Sequence, residues 1–175
     1  MTMQVIEHIE LASAASSITF SSIPGGYTDL YLVASLRDTG DVGTAFAYIH
    51  FNGSTTDYSS RLLRGSGTSV SSTSNTSTTS LRGRITPNDG TANSFGSTAF
   101  YIPNYASNAY KSVSIDSVQE ENNTESWQTI TAGLWSDTSA ITQIQIFAGA
   151  TNLAQYSSAT LYGITAGSDG TTTVS

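Results

Sequence analysis

Apolar and polar residues alternate with a period of two in short runs along most of the chain, the signature of half-buried strands. From Leu30 to Arg37, Leu30, Leu32, Ala34 and Leu36 fall on one side and Tyr31, Val33, Ser35 and Arg37 on the other. Lys111, Val113, Ile115 and Ser117 alternate with Tyr110, Ser112, Ser114 and Asp116, and Gln128, Ile130, Ala132 and Leu134 oppose Trp127, Thr129, Thr131 and Trp135. Ile144 and Ile146 share a face opposite Gln143 and Gln145, while Ser17–Ile23, Ala45–Asn52, Ser97–Ile102 and Ala159–Thr165 are shorter candidates. Turn formers separate the runs: Pro24-Gly25-Gly26, Asn52-Gly53, Asn88-Asp89-Gly90 and Pro103-Asn104. About nine short antiparallel strands at this spacing predict an all-β, single-domain β-sandwich of jelly-roll type.

The ends and one internal stretch read differently. In residues 1–12, Val5, Ile6 and Ile9 fall at helical spacing, yet Val5, Ile9 and Leu11 also share one side of a strand with Glu7 between them. The β-branched content favours a strand, either paired with the sheet or reaching out as an arm. Residues 13–166 form the sandwich. Within them Ser66–Ser80, with twelve serines and threonines in fifteen residues, predicts a flexible surface loop. Residues 167–175 read as a polar tail.

Composition narrows the function classes. With 175 residues the chain can bury a core without staples, and with no cysteine it has neither disulfides nor thiolate chemistry. Six basic residues face thirteen acidic ones, a net charge of −7 that would repel phosphates. No nucleic-acid partner is expected. Charged residues are only 11% of the chain, and hydroxyl, amide and glycine residues replace them, as in β-rich proteins that work outside the cell or on the surface of an assembly. Met1–His8 has no basic start and no long apolar run, so a signal peptide is not expected there, and no run of apolar residues suits a membrane helix.

Catalytic signatures are missing. His8 and His50 are the only histidines, and no HExxH, EF-hand, GxSxG or phosphate-cradling glycine pattern occurs. Asp116, Glu120, Glu121 and Glu125 gather near a turn and could hold calcium, although such clusters are usually solvated edges. No enzyme activity, cofactor or metal is expected. Nine tyrosines, six phenylalanines and two tryptophans remain as possible sugar-stacking or interface residues. Phe20, Phe51, Phe100 and Phe147 are assigned to the core.

Four segments resemble a family of small virion proteins of tailed bacteriophages, notably those of cyanobacteria and other aquatic hosts. They are Ile18–Leu36 (ITFSSIPGGYTDLYLVASL), Phe51–Gly67 (FNGSTTDYSSRLLRGSG), Phe100–Val118 (FYIPNYASNAYKSVSIDSV) and Ala159–Ile164 (ATLYGI). The resemblance implies a non-enzymatic part of the particle, assembled in the host cytoplasm and released by lysis. Its leading form is a decoration (cement) protein on the outer capsid surface, bound to the major capsid protein or another virion protein as a dimer or trimer. Val5, Ile6, Ile9 and Leu11 of the N-terminal segment, with Tyr105 and Tyr110, are the candidate contact residues. The alternative is a tail or tail-fibre module that binds host-surface glycan, which an exposed cluster of aromatics and amides in a groove would favour. A small carbohydrate-active enzyme, needing two carboxylates across a cleft, is the third reading.

Overall fold

The computed structural model describes residues 2–40, 43–120 and 126–166, and every regular element among them is a strand. In chain order these are β1 (Thr2–Glu10), β2 (Ser17–Phe20), β3 (Asp29–Leu36), β4 (Ala45–Phe51), β5 (Tyr58–Ser66) and β6 (Ser69–Thr78). They continue with β7 (Leu81–Ile85), β8 (Gly96–Pro103), β9 (Lys111–Gln119), β10 (Trp127–Trp135), β11 (Ile144–Phe147) and β12 (Ser158–Thr165). An eight-stranded sheet runs β1-β12-β3-β8-β9-β10-β5-β6, and a four-stranded sheet runs β2-β11-β4-β7.

The chain wraps as nested antiparallel pairs. The β5/β6 hairpin is innermost, with β4/β7, β3/β8, β2/β11 and β1/β12 outside it in turn. Successive pairs fall alternately in the large and the small sheet, as in a jelly roll. The meander β8-β9-β10 widens the large sheet by bridging β3 to β5. The β-sandwich expected from the alternation is therefore present, with twelve strands where about nine were expected.

The three unforeseen strands are consecutive, β5, β6 and β7. Ser66–Ser80 is not the expected loop. Its residues 69–78 form an edge strand in register with β5 from Ser66↔Ser69 to Ser60↔Asn75. Neither face of β6 carries an apolar stripe, so periodicity gave no signal. Pairing of its backbone with β5 holds it in place. At the other edge of the large sheet, β1 pairs with β12 from Thr2↔Thr165 to Glu10↔Ser158. The N-terminal segment is thus a sheet strand rather than a free arm in this chain. The tail 167–175 lies outside the described residues, as do Glu121 and Glu125 of the acidic cluster.

The core lies between the sheets. Leu30, Leu32, Leu36, Phe100, Ile102, Ile115 and Leu161 project from the large one, and Ile18, Phe20, Ile49, Phe51, Leu81 and Ile146 from the small one, all at most 1% exposed. Burial of this order supplies the main driving force, about 25 cal/mol per Å² of apolar surface. Near β7 the sheets approach closely, because glycine removes the side chain in between. A Cβ on Gly83 would meet Thr98 Cγ2 at 2.6 Å, and one on Gly133 would meet Leu81 Cδ1 at 2.6 Å. There the edge of β7 finds hydroxyl partners on the large sheet: Arg84 N–H donates to Ser117 Oγ (2.9 Å) and Thr98 Oγ1 donates to the Arg84 carbonyl (2.8 Å). Buried threonine and serine on β8 and β9 thus satisfy a strand edge that would otherwise be buried unpaired.

On β10 the inward side carries Thr129, Thr131 and Trp135, while Ile130 is half exposed. One side-chain assignment changes. Phe147 belongs to the outer face of the small sheet, half-buried, whereas Phe20, Phe51 and Phe100 are core as expected.

Candidate functional site

Three kinds of surface are left to meet a partner: the outer face of the large sheet, its two unpaired edges, and the outer face of the small sheet. The first is poor in charge. Cross-strand register sets Val5, Tyr162, Tyr31 and Tyr101 in one row over β1, β12, β3 and β8. The next row runs Thr160, Val33, Ala99, Asp116, Ile130 and Leu63 from β12 to β5. Val5, Leu63 and Ile130 are each about half exposed, and Val70 on β6 is 75% exposed. Tyr101 is fixed by its hydroxyl, which donates to Asp29 Oδ2 (2.8 Å), and that bond with the carboxylate raises its pKa. Leu63 and Ile130 also floor a shallow groove of about 320 Å³ bordered by Ser72 and Ser74 of β6.

The edges differ. β6 has ten residues without proline, lysine or any acidic group, so nothing blunts its row of free backbone groups. β1 carries Glu7 and Glu10 and a bulge between Val5 and Glu7. The bulge explains the contradictory periodicity of this segment. It places Val5 outward beside Tyr162, while Ile6 and Ile9 pack partly buried against the core, as does Leu11 just beyond the strand.

Of the predicted contact residues, Val5 and Tyr110 are accessible, and Ile6, Ile9 and Leu11 are only partly so. Tyr105 is fully buried. Its hydroxyl donates to the Pro24 carbonyl and its own carbonyl accepts from Ile141 N–H, so it ties loops together and cannot meet a partner. The fold does not gather the six residues: β1 is separated by β12 and β3 from β8, which leads into the loop holding Tyr105 and Tyr110.

The outer face of the small sheet is the surface that sequence reading missed. Register aligns Ser17, Phe147, Tyr48 and Arg82 in one row, Thr19, Gln145 and His50 in a second, and Phe46 opposite Arg84 in a third. Tyr48 stacks on Phe147 (5.5 Å between ring centroids), and His50 lies against Phe147 at 4.6 Å. The guanidinium of Arg82 rests 4.3 Å from the Phe46 ring centre, and that of Arg84 lies between Phe46 (4.6 Å) and Trp127 (4.5 Å). Burial holds the His50 pKa below its ordinary value, only partly opposed by a backbone bond at Thr79. The sequence carried a signal for this face: in Ala45–Phe51 both alternating sets, Ala-Ala-Ile-Phe and Phe-Tyr-His, are apolar or aromatic. A strand with a solvated outer face would alternate with small polar residues instead.

The two histidines lie on different sheets, His8 bonded to Thr160 Oγ1 (2.7 Å) and His50 in the aromatic cluster. Among the described residues no group of three or more histidine, aspartate or glutamate side chains could hold a metal ion, and no helix is long and apolar enough to cross a membrane. Two of the cations serve the scaffold. Arg37 donates to the carbonyls of Thr91, Ser94, Asn88 and Gly90 at 2.8–3.1 Å, and Lys111 caps the carbonyls of Ser107 and Ala109. Comparison of the chain with protein-family models, curated proteins and solved structures found no match. The geometry therefore defines the class: a jelly-roll β-sandwich with one broad, charge-poor sheet face, two open sheet edges and an aromatic–arginine face opposite.

Proposed function

We propose that the chain is a non-enzymatic virion protein of a tailed bacteriophage, and specifically an outer capsid decoration protein that binds the lattice of the major capsid protein. The observation that carries this reading is the outer surface of the large sheet. It exposes Val5, Leu63, Val70 and Ile130, interrupted on the middle strands by Arg61 and Asp116, and ends on one side in the unguarded strand β6. Exposed apolar area of this kind, and free strand edges, are features that soluble chains usually cover or blunt. A capsid subunit could meet the apolar face, or add a strand to β6 with main-chain bonds supplying affinity. A site spread over neighbouring subunits exists only in the assembled lattice, so binding stabilises assembly by linkage. The net charge of −7 favours the outside of the shell over the DNA-facing side.

The test is to add the purified chain to particles that lack it, image them, and follow DNA release on heating. Regular density on the shell with later release supports the reading. Absence from the shell, with attachment to the tail or to host cells, would overturn it. One observation favours that second reading, a tail or fibre module: the aromatic and amide residues on the small sheet.

A further inference from the structure

Charge is segregated along this chain. Residues 58–88 contain Arg61, Arg64, Arg82 and Arg84 and no acidic residue, whereas the rest holds two cations and all thirteen acidic residues. Those two cations, Arg37 and Lys111, are buried on backbone carbonyls. Every accessible cation therefore belongs to β5 or β7, in a chain that is otherwise acidic.

Where β7 meets β4 and the end of β6, the fold leaves an open groove of about 350 Å³, within the range of small-ligand sites. Tyr48, Arg82, Ser60, Asn75, Ser77 and Ser80 line it. Tyr48 and Arg82 are direct cross-strand neighbours, and Phe147 stacks on Tyr48 from the next strand. Phe46 orients the Arg82 guanidinium from one side, at 4.3 Å. Among the described residues Arg82 has no hydrogen bond and no ion pair, so its planar fork of donors is held in place and unused.

We propose that this groove binds an acidic saccharide of the uronate type. Each group has a matching part on such a ligand. The planar guanidinium suits a carboxylate, which it can take through two parallel bonds. An aromatic ring suits the C–H face of a pyranose. The Asn75 amide and the serine hydroxyls suit ring hydroxyls, because both donate and accept. Besides Arg82, every lining residue carries a hydroxyl or an amide, a wall that matches a sugar better than an acidic peptide. The groove opens between β7 and β4 of the small sheet and the β5/β6 end of the large one, apart from the outer-face residues Leu63, Val70 and Ile130 proposed to meet the capsid.

Titration calorimetry of the full chain with short oligogalacturonates and oligoalginates tests the proposal, with the methyl-esterified galacturonates and a poly-glutamate peptide as controls. Saturable binding to at least one uronate oligomer is expected, with the ester and the peptide weaker by about tenfold or more, the effect of losing a charge-assisted bond. Arg82→Gln should weaken binding by a similar factor, Arg82→Lys by less, and Tyr48→Ala should weaken it too. Thermal melts of the variants, matching the parent, separate lost contacts from lost fold. Absence of binding to both uronates, equal binding of poly-glutamate or of the ester, or undiminished binding by a folded Arg82→Gln variant would overturn it. Shell binding that persists when the groove is disabled leaves the capsid reading standing.

Discussion

Arg37 shows how much structure one side chain can organise. Strand alternation places it on the outer face of β3, yet it is only 8% exposed, and its fork gathers four carbonyls of the loop that connects β7 to β8. A lysine cannot reproduce that planar array. Arg37→Lys is expected to lower stability by about 2–3 kcal/mol, the scale of buried charged hydrogen bonds lost, as read from urea unfolding. Tyr58 makes a comparable link on the other side of the core. Its hydroxyl accepts from Phe51 N–H at 2.8 Å, and burial pushes its pKa up to about 12. Tyr58→Phe leaves that N–H unpaired and should cost about 1–3 kcal/mol by the same measurement. His50 sets a pH dependence. Because burial lowers its folded pKa, the unfolded chain takes up a proton first, and stability falls as pH drops from about 6.5 to the lower folded value. The melting temperature should therefore decline on going from pH 7.5 to 5.5, and His50→Gln should flatten that decline. An unchanged slope in the variant would show that the proton is taken up elsewhere.

At the level of elements, alternation made β3, β4, β8 and β9 legible, because each sets apolar or aliphatic residues on its inner side. It missed β5 to β7: β6 is exposed along its length with no apolar stripe, and β7 is short and interrupted by glycine. Close to β7 the gap between the sheets is filled by glycine, serine and threonine, with hydrogen bonds across it in place of apolar packing. Thr129 and Thr131 are accordingly buried while Ile130 faces out. The β1 bulge, which turns Val5 outward, is likewise invisible to a strict period of two. The candidate contact residues were thus half legible: Val5 and Tyr110 are accessible, whereas Tyr105 is a buried strut. The aromatic face of the small sheet went unseen because Phe147 reads as core. The close approach of β7 can be tested directly. Gly83→Val would drive its side chain into Thr98 and Ile115, and a loss of about 2–3 kcal/mol is expected from forced overpacking. A neutral result would mean that the sheets separate there without strain.

For the whole molecule, the nested wrapping yields two unlike outer faces, so one side can seat on a particle while the other meets a ligand from solution. Leu63 and Val70, on the large sheet's outer face, lie outside the core, so replacing them together by serine should leave the melting temperature near that of the parent while weakening shell binding. Equal binding by this variant would shift attention to the edge of β6. The most direct measurement is cryo-electron microscopy of decoration-deficient particles after addition of the chain, at a resolution that orients the sandwich. A capsid decoration role predicts density at repeated positions on the shell, with the large sheet's outer face or the β6 edge against capsid subunits and the Tyr48–Arg82 face turned to solvent. Particles without added density, or a chain seated through the Tyr48–Arg82 face, would contradict it.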